Sequence, residues 1–178
     1  MLSFGGIMTA YLVWRGMRVE VIGIWRGVSG VIGLSGTSAF AFSVSRISLE
    51  VTGLWSIILQ FICLTLSYAS LFVDDYNQSL TMLIVGVCAS RIGLWVFDTT
   101  VTQLMQLRVP EKMRGVVGGM QASLNAFFGL LAYGIGILYP DPSQFFILVG
   151  VGYAAVGMAA IMYGCWCSFQ KGFEKVII

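Results

Sequence analysis

The sequence predicts an all-α membrane protein, and its composition and charge distribution carry that prediction. Of 178 residues, 58% are hydrophobic and only 10% are charged, whereas about a quarter of a soluble domain is charged. Three runs contain no Asp, Glu, Lys or Arg, at 51–73, 115–139 and 142–170. Each exceeds the roughly 20 residues with which a helix crosses about 30 Å of hydrocarbon. Hydrocarbon requires backbone amides to be satisfied within their own segment, so these runs are expected to be helices.

The positions of charged and turn residues divide the chain into six segments within one membrane domain, 1–178. The loop sequences VDDYNQ, RVPEKMRG and YPDPSQ hold residues that end or cap helices. The first segment is too short to span, and we expect it to be the second part of a longer helix. The predicted segments cover approximately residues 1–14, 20–44, 50–73, 79–107, 115–139 and 143–168.

Basic residues in the short loops predict the orientation. Six of them, Arg46, Arg108, Lys112, Arg114, Lys171 and Lys175, fall on one face. Arg15 and Arg18 fall on the other face, together with Asp74, Asp75 and Asp141. Because cytoplasmic loops are enriched in Lys and Arg, this asymmetry predicts a cytoplasmic C-terminus.

Polar side chains at membrane depth are the candidate functional residues, because their burial in lipid is costly. Arg91 and Asp98 are seven residues apart, on one face of a helix and about 10 Å apart along its axis. They either line a cavity or fasten the helix to its neighbours. Thr99, Thr102 and Gln103 add polar surface to the same stretch.

Gln121 and Asn125 form a second polar pair, spaced so that they share a face of the fifth segment. They could line a cavity or bond a neighbouring helix. Glycines recur within several segments and predict close helix packing, or bending during a transport cycle. These glycines are Gly30, Gly33 and Gly36, then Gly115 and Gly119, and finally Gly150, Gly152 and Gly157.

Enzymatic chemistry has little support in the sequence. There is no histidine, no phosphate-binding loop, no nucleophile elbow and no close carboxylate pair within a span. Cys165 and Cys167 could form a thiolate pair for metal, but no further ligand lies nearby in sequence. We interpret them as small apolar packing residues near the inner face. No cofactor, nucleic-acid partner or catalytic residue is expected.

The fourth and fifth segments resemble the ferroportin family of metal exporters, solute carrier family 40. The resemblance lies in ASRIGLWVFDTTVTQLMQ followed by VPEKMRGVVGGMQASLN. It continues through ILYPDPSQF and the last span, and includes LSFGGIMTAYL and GLSGTSAFAF near the start. The LSFG..MTA and SRIS stretches are closer to plant-type members than to animal ones.

The resemblance implies the C-terminal lobe of a major-facilitator-type transporter, beginning within a broken seventh helix. The implied function is export of Fe²⁺ or a related divalent metal across a plasma, vacuolar or other organelle membrane. The implied partners are the lipid bilayer, the N-terminal lobe and the metal ion as substrate. Arg114 matches a family residue that takes part in an inner gate. The C-lobe metal-ligand positions of animal members correspond to Gly6 and Ala132, and neither side chain can ligate metal.

A second hypothesis is a membrane structural or assembly subunit, or a truncated gene product, without transport of its own. Intramembrane charges that face a water-filled cavity would favour the transporter. An intramembrane enzyme is the least favoured reading, because the catalytic groups are absent.

Overall fold

The computed structural model describes residues 6–139, 141 and 145–177. Within them the chain forms six α-helices and one 3₁₀ turn, Ser70–Phe72. Five of the helices are long and apolar enough to cross a membrane, so the protein is an integral, multi-pass membrane protein. The helices are α1 (Gly6–Trp14), α2 (Val19–Val44), α3 (Leu49–Ala69), α4 (Tyr76–Arg108), α5 (Glu111–Leu138) and α6 (Phe145–Ile177).

Residues next to the helix starts, and not the limits of the hydrophobic runs, determine where α4 and α5 begin. Asp75 accepts hydrogen bonds from the amides of Asn77 (3.0 Å) and Gln78 (3.4 Å), so α4 begins at Tyr76, before the predicted 79. Such a side-chain cap satisfies amides that the first turn leaves unpaired. α5 begins at Glu111, before the predicted 115, directly after Pro110 and without a side-chain cap.

The last helix differs most from its predicted segment. Its hydrophobic stretch ends near Phe169, close to the predicted limit at 168, but its backbone stays helical to Ile177. Hydrophobicity indicates where a helix leaves the lipid, whereas the helix itself ends where backbone hydrogen bonding stops. The predicted starts at 1 and 143 lie outside the described residues.

α4 is the central helix, and glycines bring its neighbours close. On the α2 side, a Cβ at Gly36 would lie 3.0 Å from Cβ of Trp95 and 3.3 Å from the carbonyl oxygen of Ile92. On the α3 side, a Cβ at Gly93 would lie 2.6 Å from the carbonyl oxygen of Ser56. Helix backbones therefore touch almost directly at these points, as small residues allow in lipid.

α6 packs on the opposite side of α3 through aromatic rings. Tyr153 of α6 stacks on Phe61 (4.8 Å between centroids) and on Tyr68 (5.2 Å). Its hydroxyl lies 3.1 Å from Oγ1 of Thr65, within hydrogen-bonding distance. The tyrosine therefore contributes both ring packing and a polar contact at this helix interface.

The short helix α1 is anchored over one part of the bundle. Its Met8 and Leu12 are fully buried in an apolar cluster with Ile84, Val87 and Cys88 of α4. Gly16 has a φ of 88°, a left-handed conformation that glycine adopts without strain, and it turns the chain from α1 toward α2.

α5 is the exception to this close packing. None of its residues is buried by the described chain. A Cβ at Gly115 or Gly119 would meet nothing within 4 Å, so these glycines do not mediate packing between described residues. The prediction was also wrong for Gly30, which has no such neighbour, whereas Gly33, Gly36, Gly150 and Gly157 do lie against side chains of other helices. α5 therefore presents nearly all of its surface to something other than this bundle.

Candidate functional site

Arg91 lies between α4 and α2, where the sequence placed an intramembrane charge. It is half-buried, and its Nε donates a hydrogen bond of 3.2 Å to Oγ of Ser29. Ser29 is only 1% exposed, so the guanidinium is directed into a packed helix interface. Arg91 therefore fastens α4 to α2, one of the two roles that the sequence left open.

Asp98, in contrast to Arg91, is not directed into a helix interface. Its side chain is exposed, as are those of Leu94, Trp95 and Thr102 on the same part of α4. Among the described residues no side chain pairs with it. The physical reason is that the neighbouring helices cover other sides of α4, which leaves this side open.

The open surface occupies one half of α4 only. α1 covers Ile84 and Val87, which lie two or more turns before Leu94 on approximately the same side of the helix. Around Asp98 the described chain reaches this side of α4 only where Gly33 and Gly36 of α2 pack against Trp95. We call the surface formed by Leu94, Trp95, Asp98 and Thr102 the open face.

The other polar candidates are likewise without hydrogen-bond partners in the described chain. Gln103 and Gln121 are half-buried, Asn125 is exposed, and none of the three makes a side-chain hydrogen bond with a described residue. Gln121 and Asn125 lie on α5, where no residue is fully buried by the described chain. Their amide groups are therefore available to a partner outside this bundle or to water.

Arg114 lies in the first turn of α5 and is exposed. Its Nε donates a hydrogen bond of 3.1 Å to the carbonyl oxygen of Val109, which ends the preceding helix. The remaining guanidinium donors make no hydrogen bond with a described residue. The gate role of Arg114 stays a prediction.

The described residues do not assemble a metal site. No group of three His, Cys, Asp or Glu side chains gathers within residues 6–139, 141 and 145–169. Gly6 has no neighbour within 4 Å of a Cβ position, and Ala132 is half-buried. Cys165 is exposed, whereas Cys167 is buried with its Sγ 3.8 Å from the carbonyl oxygen of Glu50.

One polar cluster was not predicted from the sequence. Arg108 pairs with Glu50, and its guanidinium also lies 5.1 Å from the ring centroid of Trp166. Tyr163 donates a hydrogen bond of 3.3 Å to the carbonyl oxygen of Glu50. The cluster joins α3, α4 and α6 at the face predicted to be cytoplasmic. The sequence did contain a signal for this cluster. Glu50 and Arg108 carry opposite charges and lie at segment ends on the face predicted to be cytoplasmic.

Membrane-length helices with an uncovered polar face are features of a multi-pass membrane transporter. A sequence profile described as Ferroportin1 (FPN1) matches residues 1–156. The chain therefore belongs to the ferroportin family, solute carrier family 40, whose members are transporters and not enzymes. This confirms the resemblance found in the sequence.

The relatives include both plant and animal proteins. Solute carrier family 40 member 2 of Arabidopsis thaliana is 44% identical over 162 residues, which are 91% of this chain and 32% of that protein. Member 1 of Oryza sativa subsp. japonica is 45% identical over 164 residues. Human ferroportin is 30% identical over 217 residues. The chain thus spans about a third of the length of these relatives.

Solved structures confirm the major-facilitator-type fold. A bacterial homologue of the iron transporter ferroportin in the outward-facing state superposes with a TM-score of 0.89 at 28% identity. That match covers 94% of this chain and 42% of the other. A structure described as a bacterial metal transporter gives a TM-score of 0.88 at 29% identity, with 45% of that chain covered.

Proposed function

We propose that this chain forms the C-terminal lobe of a ferroportin-type transporter that exports iron as Fe²⁺. The observation that carries the proposal is the open face of α4, where Asp98 and Thr102 stand exposed within a membrane-length helix. The family, and relatives whose names refer to ferroportin, supply the substrate class. A related divalent metal is an alternative substrate of the same chemistry.

Lipid is an unsuitable environment for the open face. A carboxylate near the centre of a membrane helix costs about 2.5–3.5 kcal/mol on insertion scales. Asp98 has no described partner that would offset this cost. We therefore propose that the open face borders a water-filled cavity between two lobes, of which the N-terminal lobe is not part of this chain.

α5 supports the same interpretation. It carries Gln121 and Asn125 and is not buried by the bundle at any residue. In transporters of this type, two lobes move against each other around a site near the bilayer midplane. We propose that α5 and the open face of α4 together form the surface that meets the other lobe.

The metal ligands are then shared unequally between the lobes. Fe²⁺ prefers imidazole and carboxylate ligands, or thiolates in sulfur-rich sites. This chain has no histidine, and Asp98 is the carboxylate that the structure leaves available at membrane depth. We propose that Asp98 attracts the cation into the cavity, while the N-terminal lobe provides most of the binding ligands.

The experiment is iron efflux from cells that express a chimera. In the Arabidopsis solute carrier family 40 member 2, the matched C-terminal region is replaced by this chain. We expect the chimera to export radioactive iron. Asp98→Asn removes the charge that attracts the cation and should reduce the initial rate by about tenfold, which corresponds to about 1.4 kcal/mol. The matched control is Asp74→Asn, an exposed carboxylate at a helix end.

Two outcomes would contradict the proposal. Efflux by this chain expressed without any other lobe would remove the need for a partner lobe. A chimera that reaches the membrane in normal amounts but exports no iron would favour the alternative, a membrane structural or assembly subunit or a truncated product. The family match does not favour that alternative.

A further inference from the structure

A cavity of about 410 Å³ lies at the end of the bundle opposite the Glu50–Arg108 pair. It opens between the last turn of α1, the 3₁₀ turn after α3 and the first turn of α6. Its inner wall is formed by Tyr11 and Phe145, whose rings stack with centroids 4.1 Å apart and planes 12° apart. The cavity is also lined by Trp14, Arg15, Leu71, Phe72 and Phe146.

The rim of the cavity is aromatic and uncovered. Trp14, Phe72 and Phe146 are 55%, 70% and 51% exposed. All three lie at helix ends on the face predicted to be outward. Aromatic residues are enriched at the level of the lipid headgroups, so the cavity opens where the acyl chains meet the headgroup layer.

Arg15 supplies a positive charge with unused donors beside this aromatic rim. Its Nη2 donates a long hydrogen bond of 3.4 Å to Oγ of Ser79. Its guanidinium carbon lies 5.8 Å from the ring centroid of Tyr11 and 5.2 Å from that of Tyr76. The Nε atom is buried and makes no hydrogen bond with any described residue.

No described carboxylate offsets the charge of Arg15. The salt bridge between described residues is that of Arg108 and Glu50, at the other end of the bundle. An anion in the cavity would pair with this charge through the Nη donors of Arg15, because the Nε atom is closed off by the surrounding protein. Arginine is well suited to phosphate, because its planar group donates two parallel hydrogen bonds.

We propose that this cavity binds a membrane phospholipid, with its phosphate at Arg15 and its acyl chains along Trp14, Phe72 and Phe146. A free phosphate ion would leave the aromatic walls without contacts, and the cavity is much larger than such an ion. A lipid without a phosphate would leave the positive charge of Arg15 without a counter-ion. The combination of one arginine with an apolar wall therefore selects an anionic amphiphile.

The bound phospholipid would add to the Tyr11–Phe145 stack, which already joins α1 to α6 at this end. Its phosphate contacts α1 through Arg15, and its chains contact the 3₁₀ turn and α6. The lipid would thus hold the short helix α1 in place at the outward end of the bundle.

The test is native mass spectrometry of the full chain in detergent, titrated with phosphatidylglycerol. We expect one retained lipid per chain. Arg15→Gln should weaken retention by about tenfold, the usual scale for losing a charged hydrogen bond. Phe146→Ser, which alters an exposed rim residue, should also weaken it. Arg18→Gln is the matched control, because Arg18 is exposed, lies three residues from Arg15 and does not line the cavity.

Two further ligands distinguish the sources of binding. Diacylglycerol, which lacks the phosphate, and inorganic phosphate, which lacks the chains, should each bind at least about tenfold more weakly than phosphatidylglycerol. Equal retention of phosphatidylglycerol by Arg15→Gln and the unmodified chain would overturn the proposal. Should Arg15→Gln fail to fold, unchanged retention by Phe146→Ser would overturn it, as would diacylglycerol binding as tightly as phosphatidylglycerol.

Discussion

The Nη2 atom of Arg108, in the last turn of α4, lies 2.5 Å from Oε1 of Glu50, in the first turn of α3. The two residues are 58 positions apart in sequence. Because the guanidinium also faces the ring of Trp166 on α6, this contact joins three helices at one end of the bundle.

Substitutions in this cluster should have unequal effects on stability. Glu50→Gln removes only the ion pair, which is partly exposed, and should cost about 0.5 kcal/mol. Arg108→Gln removes the ion pair and the cation–π contact, and should cost about 1 kcal/mol. In thermal unfolding in detergent, the melting temperature of Arg108→Gln should fall by about 2–4 °C. A larger effect from Glu50→Gln would contradict the role given to Trp166.

The glycines of α4 and α5 provide a sharper test of packing. Gly93→Ala places a methyl group 2.6 Å from the carbonyl oxygen of Ser56, so α3 and α4 must move apart. We expect a loss of about 1–3 kcal/mol. Gly119→Ala is the matched control, because a Cβ there meets nothing within 4 Å. Alanine should even raise helix stability slightly at that position.

The comparison is made by heating both variants in the same detergent and monitoring helical circular dichroism. Equal melting temperatures for Gly93→Ala and the unmodified chain would show that the α3–α4 contact is looser than the structure indicates. A large loss for Gly119→Ala would show that α5 packs against a surface absent from the described bundle.

The glycines also show how far the sequence alone can predict this fold. Charge-free runs predicted α3, α5 and α6 directly, because the cost of charge in lipid acts on each segment separately, whereas α2 and α4, which contain charged residues, were bounded by the turn residues and charges at their ends. The glycines in actual contact could not be chosen that way. Gly115 and Gly119 have packing-motif spacing but no neighbour, whereas Gly93 contacts α3. Which helix lies on which side is a tertiary property that one segment does not encode.

The candidate site shows the same division. Polar residues at membrane depth predicted Arg91 and Asp98 as a set, since both are costly in lipid. The structure separates them, with Arg91 bonded to Ser29 and Asp98 on the open face. Spacing placed both side chains on one face of a helix, but it could not show that α2 offers Ser29 opposite Arg91 and no partner opposite Asp98.

The predicted topology can be tested with single cysteines on a background in which all four native cysteines are replaced by serine. Cytoplasmic loops carry the basic excess, so Lys112→Cys should resist a membrane-impermeant maleimide added to intact cells. Asp74→Cys, on the opposite face and exposed, should be labelled efficiently. The reverse labelling pattern would invert the orientation, and permeabilised cells control for reactivity.

Arg114 is expected to act in an inner gate of the complete transporter. In the chimera with the Arabidopsis relative, Arg114→Ala should change iron efflux by several-fold without changing the amount of protein at the membrane. Lys112→Ala is the matched control, since Lys112 is exposed on the same turn and would act only as a positive-inside anchor. Normal efflux by Arg114→Ala would rule out the gate and leave Arg114 as such an anchor.

The last prediction concerns metal binding by this chain without another lobe. A selective site for Fe²⁺ or Co²⁺ needs several imidazole, thiolate or carboxylate groups at one point. The chain has no histidine, Gly6 and Ala132 cannot ligate, and no three suitable side chains gather among the described residues. Calorimetric titration of the purified chain with Co²⁺ should therefore give no saturable binding at micromolar metal.

Cys165 and Cys167 are the remaining candidate ligands, because they are two positions apart on α6, although Cys167 is buried. Micromolar binding that disappears in the variant carrying Cys165→Ser and Cys167→Ser would assign the site to that pair. It would also overturn the inference that the other lobe supplies most of the ligands.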